Sequence, residues 1–467
     1  MKMDRIVENI GRREFLGLSG LAGFLSGRHA LADGDVPENR AARPDIVLLI
    51  ADDVGWNDVG YHGSEIPTPN IGRLAREGVE LDRFYACPTC SPTRAAILMG
   101  RPPSRFGILE PIAGRSALSL PENSVTLASI LGNAGYRTVQ IGKWHLGLTP
   151  DTGPNRYGFE HSYGYLHGQI DPYTHIYKNG DRRWHQDGRF TDENGHATDL
   201  IATSAINHLE TSGTDRPLFL YVAFSVPHYP LDEPEQWMSP LRGRIADPSR
   251  LMYAAAMCHM DDAVGKILAA AERNSSRRGR STLILWVSDN GGQDRWDATA
   301  QEYGGKYKPN EVLGNNYPLR GWKTGLYEGG IRVPAAAFWP GVLERRKVDI
   351  PIHAMDLLPT LAAAAETEIP TSMQIEGKNM LSVLAGSKPE GDRTFYWNTG
   401  RQLAVMRGFW KLIQQDGVLN AGKTELYNVE SDPGEKIDLA GSQETRVTQL
   451  RAVLAAQMSR DNLPGPS

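Results

Sequence analysis

The sequence is poor in cysteine and has no long apolar run. Its 467 residues include only three cysteines, Cys87, Cys90 and Cys258, so disulfides do not hold the fold together. The most apolar stretch, residues 14–27, is too short and too rich in glycine to span a membrane. These two features exclude a disulfide scaffold and predict no stable membrane insertion.

Excess positive charge and internal repeats are also missing. The formal net charge is −5, and after residue 32 basic residues form only short clusters, such as the one at residues 277–280. Nucleic-acid binding is therefore not expected. With 40% hydrophobic residues, the chain is long enough to bury one large core and to form a smaller second unit.

The first 32 residues have the composition of an export signal. Arg12 and Arg13 precede the apolar stretch 14–27, and an Ala-Leu-Ala sequence follows at residues 30–32. Paired arginines, a short apolar region and a small-residue cleavage site are typical of twin-arginine signal peptides. We therefore expect residues 1–32 to be removed, the twin-arginine export machinery to be a partner, and the mature protein to be periplasmic or secreted. A short amphipathic N-terminal helix is the alternative interpretation.

Short apolar runs alternate with helical patterns along the chain. These strand-like runs lie at residues 46–51, 137–141, 218–224 and 283–287, and the run 46–51 is continuously apolar, as in a strand buried on both faces. The helical patterns lie at residues 70–77, 124–134, 197–211 and 250–273. This alternation predicts an α/β fold with a doubly wound, mostly parallel sheet flanked by helices.

Each predicted strand ends in chemically active side chains. These are Asp52, Asp53, Lys143, His145, His228, Asp289 and Asn290. Ligands of doubly wound sheets bind beyond the carboxyl ends of the strands, so we expect these side chains to converge at one edge. Taken singly, each also has a structural interpretation as a helix cap, a turn or a surface histidine. Their shared position favours a functional site.

The residue types at this edge indicate a cation beside an anion pocket. Oxygen donors suit a hard cation, calcium or alternatively magnesium, and not zinc; the candidates are Asp52, Asp53, Asp289 and Asn290. Lys143, the histidines and the downstream Lys323 supply positive or hydrogen-bonding groups. Such a set describes a pocket for a multiply charged anion.

The stretch CPTCSPTR at residues 87–94 has two interpretations. One is a redox CxxC pair, and the other is that Cys90 is the precursor of a more reactive group. Pro92 fits the first helical position, with Ser91 as the N-cap and the helix continuing to Gly100. Cys90 would then lie just ahead of the positive helix end, with Arg94 one turn inside. Both features would lower the pKa of a thiol.

The stretch CSPTRAAILMGR at residues 90–101 resembles the signature of the type I sulfatases, which belong to the alkaline-phosphatase-like superfamily. The resemblance extends over nearly all of the chain after residue 32. It includes ADDVGWNDVGYHGS, TPNIGRLAREGV, GKWHLG, PHYP, SDNGG, LRGWKTGLYEGGIRVP and a C-terminal motif at residues 425–435. Within the family the chain is most similar to the arylsulfatase B group, the N-acetylgalactosamine-4-sulfatases, although residues 294–314 look longer than in that group.

The resemblance implies a sulfuric ester hydrolase that acts on a sulfated carbohydrate or an aryl sulfate. It implies that a formylglycine-generating enzyme oxidises Cys90 to formylglycine. One hydroxyl of the hydrated aldehyde would attack sulfur, and the other would expel sulfate. The implied ligands of one calcium ion are Asp52, Asp53, Asp289, Asn290 and residue 90. The implied catalytic residues are Cys90, Arg94, His145 and His228, of which His228 protonates the leaving oxygen, and the sulfate-binding residues are Lys143 and Lys323.

Two other functions stay open on the sequence alone. One is a phosphomonoester, phosphodiester or phosphonate hydrolase of the same superfamily, although Asn290 stands where its two-metal members tend to have histidine. The other is a non-catalytic glycan-binding homologue. The aromatic residues between 157 and 185 are either a lining for sugar rings or the packing of a long insertion. Cys87 is either a small buried neighbour of Cys90 or a partner for Cys258.

Two domains are expected after the signal. The catalytic domain would occupy residues 33–370 and a C-terminal subdomain residues 371–467. Strand-like runs at residues 394–398, 403–406 and 409–414 precede a helical pattern at 444–458. They predict a small antiparallel sheet packed against one helix.

Overall fold

A computed structural model describes residues 43–388, 391–417, 419 and 422–462. The interpretation of residues 1–32 as an export signal lies outside the described residues and stays a prediction. The described chain forms a ten-stranded mixed sheet, a three-stranded sheet and a four-stranded antiparallel sheet. The strands are β1 (Asp45–Ala51), β2 (Val79–Leu81), β3 (Phe84–Tyr85), β4 (Arg137–Lys143), β5 (His161–Tyr165), β6 (Trp184–Gln186), β7 (Arg189–Phe190), β8 (Leu218–Ala223), β9 (Thr282–Ser288), β10 (Arg332–Val333), β11 (Ala335–Phe338), β12 (Arg346–Val348), β13 (Ile352–His353), β14 (Thr394–Asn398), β15 (Leu403–Arg407), β16 (Trp410–Gln414) and β17 (Thr424–Asn428).

The four predicted strands lie side by side at the centre of the large sheet. Their spatial order is β9, β1, β8 and β4, and neighbouring members pair in parallel. Alternate residues of β1 enter two different hydrophobic cores, Ile46 and Leu48 on one face and Val47 and Leu49 on the other. A strand buried on both faces is apolar along most of its length. The predicted doubly wound α/β fold is confirmed.

The register of these strands fixes where their polar ends emerge. Strands β1 and β9 pair without offset up to Ala51 and Ser288, so the next residues, Asp52 and Asp289, leave the sheet side by side. On the other side of β8, Gly142 lies opposite Ala223. A Cβ atom at Gly142 would lie 1.9 Å from the Ala223 carbonyl oxygen, so glycine is required there.

Helices cover both faces of the sheet. They are α1 (Pro69–Glu77), α2 (Cys90–Met99), α3 (Leu127–Asn133), α4 (Ala197–Thr211), α5 (Glu235–Met238), α6 (Pro248–Arg278), α7 (Glu328–Ile331), α8 (Leu357–Ala364), α9 (Leu381–Leu384) and α10 (Glu444–Met458). The four predicted helices are present as α1, α3, α4 and α6. Helix α6 runs beyond its predicted end and stops at Gly279, whose left-handed backbone closes the last turn. In the described part of the chain, no helix has the length and apolar character needed to cross a membrane.

The C-terminal unit is a four-stranded antiparallel sheet, β14 to β17, with α10 packed on it. The three strands and the helix expected from the sequence are present, and β17 is an additional strand. The sheet packs against the catalytic part through an apolar cluster that includes Phe395 and Trp397. The indole N–H of Trp397 also donates a 2.9 Å hydrogen bond to the Ala86 carbonyl. The domain boundary at residue 370 stays a prediction.

A buried ion cluster joins the C-terminal sheet to the catalytic part. Lys411 of β16 is fully buried, and its Nζ lies 2.7 Å from a carboxylate oxygen of both Glu328 and Glu435. Glu435 also accepts a 2.6 Å hydrogen bond from the backbone N–H of Glu328. Glu328 begins α7, directly after the loop that carries Lys323. The C-terminal unit therefore holds one end of a loop that leads to the strand-end cluster.

We expect Lys411→Met to destabilise the protein by about 3–5 kcal/mol, because it leaves the buried Glu435 without its counter-charge and leaves Glu328 only Arg332, which lies 3.9 Å away. Urea unfolding followed by fluorescence would show the change as a lower midpoint. Lys423→Met is the matched control, since Lys423 also pairs with a glutamate but its side chain is 67% exposed. Equal midpoints for the two variants would contradict this interpretation of the cluster.

Candidate active site

The predicted oxygen ligands converge at the carboxyl edge of the central strands. Asp52 and Asp53 follow β1, and Asp289 and Asn290 follow β9; all four are at most 2% exposed. The Asn290 amide donates a 2.7 Å hydrogen bond to Asp53 Oδ1. Single ligand atoms of Asp52, Cys90 and Asp289 lie within 4.8 Å of one another. The structure thus brings together the five residues that the sequence suggested as ligands.

Two oxygens of this cluster have no hydrogen-bond partner among the described residues. They are Asp52 Oδ1 and Asn290 Oδ1, and both are buried. A buried acceptor left unsatisfied costs about 1–3 kcal/mol, and more when it is charged. A hard cation ligated by carboxylate and amide oxygens would satisfy both atoms. The residues present therefore fit the calcium ion that the sequence predicted.

Two lysines compensate the buried carboxylates. Lys143 Nζ lies 2.6 Å from Asp52 Oδ2, and Lys323 Nζ lies 2.8 Å from Asp53 Oδ2. Burial raises the pKa of Asp53, but Lys323 and His228 outweigh this effect and lower it to about 2. Burial and the neighbouring Asp289 raise the pKa of Asp52 despite Lys143.

Arg94 lies inside the cluster and is fully buried. Its Nε and one terminal nitrogen donate to Asp289 Oδ2 at 3.1 and 2.7 Å, and the other donates to the Lys143 carbonyl at 3.0 Å. The guanidinium therefore neutralises Asp289 and links α2 to the end of β4. The catalytic role that the resemblance implies for Arg94 stays a prediction.

Cys90 and His145 face each other across the site. Cys90 Sγ lies 3.1 Å from His145 Nδ1, and His145 Nε2 lies 2.8 Å from the Ile112 carbonyl oxygen. Because a carbonyl oxygen only accepts, Nε2 carries the proton and Nδ1 presents a lone pair to Cys90. Burial, followed by the charges of Lys143 and Arg94, holds the pKa of His145 well below its usual value. The ring is therefore neutral and able to accept a proton at Nδ1.

The start of α2 differs from the prediction. The helix begins at Cys90 with Thr89 at the N-cap, so the expected cap at Ser91 was wrong. Ser91 Oγ instead donates to the His145 carbonyl at 2.8 Å and accepts from the Ile112 N–H at 3.1 Å. These long-range bonds replace the local cap, and they hold the two segments that position the His145 ring.

The expected lowering of the Cys90 thiol pKa was also wrong. The side chain is 2% exposed, and burial raises its pKa although Lys143 and Lys323 act in the opposite direction. Desolvation disfavours the thiolate more than the nearby cations favour it. Position 90 is therefore not built as a thiolate nucleophile.

The three cysteines, all of which lie in the described part of the chain, are free. Cys87 is 3% exposed, and burial raises the pKa of its thiol to about 12. Cys258 lies on α6, where its Sγ contacts the Pro67 carbonyl. Cys87 is thus a buried neighbour of Cys90 and neither half of a CxxC disulfide nor a partner for Cys258.

A cavity of about 360 Å³, here called the catalytic cavity, opens above Cys90, His145, His228 and Lys323. Its remaining lining residues are Pro111, Ile112, Ala113, Gly168, Gln169, Tyr177, Lys178, Tyr229, Gln293, Asp294 and Thr324. Apart from Tyr177, one of the aromatic residues between 157 and 185, none of these was expected from the sequence, since isolated loop residues have no motif. Tyr229 and Thr324 could have been suspected, because they directly follow His228 and Lys323.

The aromatic residues between 157 and 185 are mostly packing. Tyr157, Phe159, Tyr165 and Trp184 belong to the two hydrophobic cores. Only Tyr177 of this group lines the catalytic cavity. The alternative of an aromatic lining for sugar rings is therefore wrong for most of the segment.

Residues 294–314 pack against the segment that bears Tyr177 and Lys178. The backbone N–H of Tyr303 donates to the Lys178 carbonyl at 3.0 Å, and Lys178 Nζ lies 2.8 Å from Glu302. Gln169 donates to the Tyr303 hydroxyl at 3.0 Å. The stretch that looked long in the sequence therefore supports one wall of the catalytic cavity.

A second histidine–carboxylate cluster anchors the loop behind His228. Glu233 Oε2 lies 2.7 Å from His259 Nδ1, and His259 Nε2 lies 3.1 Å from Asp199. His196 Nδ1 accepts from the Thr198 N–H, which leaves its proton on Nε2, directed toward Glu233. Both ring nitrogens of His259 are thus occupied by carboxylates. The His259 ring therefore pairs with negative charge on both sides and anchors the loop behind His228 to α6.

Comparisons with known proteins show the family of the chain. The family model described as sulfatase matches residues 44–367. The chain belongs to the sulfatase family. The sulfatase is 31% identical to arylsulfatase J of Mus musculus over 462 residues, with 85% of this chain and 73% of that protein covered. It is 32% identical to N-acetylgalactosamine-6-sulfatase of Mus musculus over 392 residues, with 79% and 71% covered.

Solved structures show the same fold. The crystal structure of Ps i-CgsB in complex with k-i-k-neocarrahexaose superposes with a TM-score of 0.80 at 29% identity, covering 91% of this chain and 94% of that one. The sulfatase is a sulfuric ester hydrolase, and its membership favours this activity over phosphate ester hydrolysis and over a non-catalytic role.

Proposed function

We propose that the sulfatase removes sulfate from a sulfated glycan, using formylglycine at position 90 and one calcium ion. The observation that carries the proposal is the pairing of Cys90 with the proton-accepting Nδ1 of His145 at 3.1 Å, beside the strand-end carboxylates and lysines. In the mature enzyme, Cys90 Sγ would mark the region taken by a hydroxyl oxygen of the hydrated aldehyde. One hydroxyl of the hydrate would supply the nucleophile, and the second would lose its proton, re-form the aldehyde and so expel sulfate.

The chain's own residues hold the anion and move the protons. His145 Nδ1 accepts a proton from the hydroxyl at position 90, because its other nitrogen is fixed as a donor to Ile112. Lys143 and Lys323 each have three N–H donors and use one on an aspartate, so each retains donors for sulfate oxygens. These donors would stabilise the charge that develops on the transferring group.

His228 is proposed to protonate the leaving oxygen. Its Nδ1 lies 2.6 Å from the Tyr229 carbonyl, which leaves Nε2 for the substrate side, 3.8 Å from Asp53 Oδ2. Burial and Lys323 hold its pKa well below the usual value without substrate. The negative charge of a bound sulfate ester favours the protonated ring. Substrate binding would therefore increase the fraction of His228 that is protonated and able to act as the acid.

The formylglycine proposal predicts that active enzyme carries the aldehyde at position 90 and that Cys90→Ala folds but does not turn over. Mass spectrometry of the tryptic peptide and turnover of 4-nitrophenyl sulfate would check both. Expression with and without a formylglycine-generating enzyme is the control. Full activity in a preparation whose tryptic peptide carries only unmodified cysteine at position 90 would contradict the formylglycine proposal.

The calcium proposal assigns Asp52, Asp53, Asp289, Asn290 and residue 90 as ligands, and the ion would act as a Lewis acid on a sulfate oxygen. We expect a chelator to abolish activity and calcium to restore it. Asp53→Asn should weaken calcium binding measured by calorimetry. Restoration by zinc but not by calcium would refute the assignment.

The acid role of His228 predicts a substrate-dependent defect. A sugar alkoxide needs a proton as it leaves, whereas 4-nitrophenolate hardly does, and general acid help is worth about 10²–10⁴-fold. His228→Ala should lose roughly that factor in kcat/KM on a sugar sulfate and far less on 4-nitrophenyl sulfate. Lys323→Ala is the control and should impair both substrates alike. Equal losses on both substrates for His228→Ala would show that His228 only binds sulfate.

The sulfated position on the glycan also belongs to the proposal. The sequence resemblance points to 4-O-sulfated N-acetylgalactosamine, whereas a relative 32% identical to the chain carries the name N-acetylgalactosamine-6-sulfatase. Sulfate release from N-acetylgalactosamine 4-sulfate and 6-sulfate, measured side by side, decides between them. A preference for the 6-sulfate would overturn the 4-O prediction and leave the sulfatase activity intact.

We further propose export through the twin-arginine route to the periplasm or beyond the cell. Arg12 and Arg13 precede the short apolar stretch 14–27, as that route requires. Because the route carries folded proteins, oxidation of Cys90 would take place in the cytoplasm. Replacing both arginines by lysine should leave the precursor inside the cell, as judged by fractionation. Unchanged periplasmic accumulation would contradict the proposal.

A further inference from the structure

We propose that the substrate is an oligosaccharide or polysaccharide of at least two sugars, and that Arg401 binds an anionic substituent on a sugar next to the one that loses sulfate. This inference rests on the proposed function. It adds a second binding site, formed between the catalytic part and the C-terminal sheet.

A second cavity of about 520 Å³, here called the outer cavity, adjoins the catalytic cavity. Pro111 and Thr324 line both cavities, so the two share a wall. The outer cavity begins at Pro88 and Thr89, directly before Cys90. A ligand in the catalytic cavity that reaches past Pro111 and Thr324 would therefore enter the outer cavity.

The lining of the outer cavity suits a pyranose ring. Pro88, Leu109 and Pro111 offer apolar surface for the C–H face of a sugar. Two threonine hydroxyls offer hydrogen bonds; they belong to Thr89 and Thr324. Both cavities fall within the range of about 300–1,000 Å³ that is typical of small-molecule sites, so each can hold its own part of a ligand.

The turn between β14 and β15 presents Arg401 to the outer cavity. Thr399 Oγ1 accepts hydrogen bonds from the backbone N–H groups of Arg401 and Gln402 at 3.3 and 2.9 Å. The Gln402 amide donates to Gln415 at 2.6 Å, and the Gly400 N–H donates to Asn398 at 2.8 Å. The turn is thus fixed by its own hydrogen bonds before any ligand arrives.

Arg401 is the only cationic side chain among the residues that line the outer cavity in the described part of the chain. Its side chain is 83% exposed and lies 2.9 Å from Glu110 on the opposite wall. A guanidinium has five N–H donors in a planar fork, so it can keep Glu110 and still bind an anionic group. The sulfate groups of a galactan and the carboxylates of a uronic acid polymer share this chemistry.

The test compares small and extended substrates in the mature, calcium-loaded enzyme. The probes are 4-nitrophenyl sulfate, N-acetylgalactosamine 4- and 6-sulfates, a carrageenan hexasaccharide with sulfate groups only, and a chondroitin sulfate hexasaccharide with sulfates and carboxylates. We expect kcat/KM on one hexasaccharide to exceed that on every monosaccharide sulfate. Arg401→Ala should lower that value about three- to tenfold, as expected for an exposed charged contact, and change turnover of 4-nitrophenyl sulfate less than twofold.

Arg407→Ala is the matched control, because Arg407 is an exposed arginine on the same sheet that lines neither cavity. Arg401→Lys should retain part of the effect, since it keeps the charge and loses the fork. The hexasaccharide that shows the loss identifies sulfate or carboxylate as the anion. Hexasaccharides no better than monosaccharides, or an unchanged value for Arg401→Ala, would overturn the inference. Absence of all sulfate release by the wild type would instead refute the proposed function.

Discussion

Buried carboxylates emerge side by side from neighbouring parallel strands, and the other interactions of the site follow from this arrangement. Asp52 and Asp289 leave the sheet at the same level because β1 and β9 pair without offset. Buried like charges at this spacing are unstable without compensation. Arg94, Lys143 and Lys323 supply it, each from a different segment. The charge balance of the site and the packing of those three segments therefore depend on each other.

This constraint explains why the C-terminal unit matters for the site. Lys323 lies on a loop whose far end, at Glu328, is held by Glu435 and by Lys411 of the C-terminal sheet. The same sheet supplies the turn that borders the outer cavity. A unit that contributes none of the strand-end residues thus bears both on the placement of a proposed sulfate ligand and on the shape of the surface beyond it.

Desolvation decides the character of position 90. A cysteine at a helix start among cations looks like an activated thiolate, yet burial raises the pKa of its thiol. The neighbouring His145 is fixed as a neutral proton acceptor by its bond to Ile112. This arrangement suits a group that gives up a proton as it reacts, which matches a hydroxyl better than a stored thiolate.

The fold class, the central strands and the residues at their ends could be predicted from the sequence alone, because strand-like runs and strand-end motifs are local patterns. Contacts in the folded chain were needed to show that Ser91 holds His145 instead of capping α2 and that most aromatic residues of 157–185 are core. They were also needed to show which loop residues line the cavities. Those outcomes depend on contacts between segments far apart in the chain and on how much water each group loses. Neither the long-range contacts nor the loss of water can be read from a local sequence pattern.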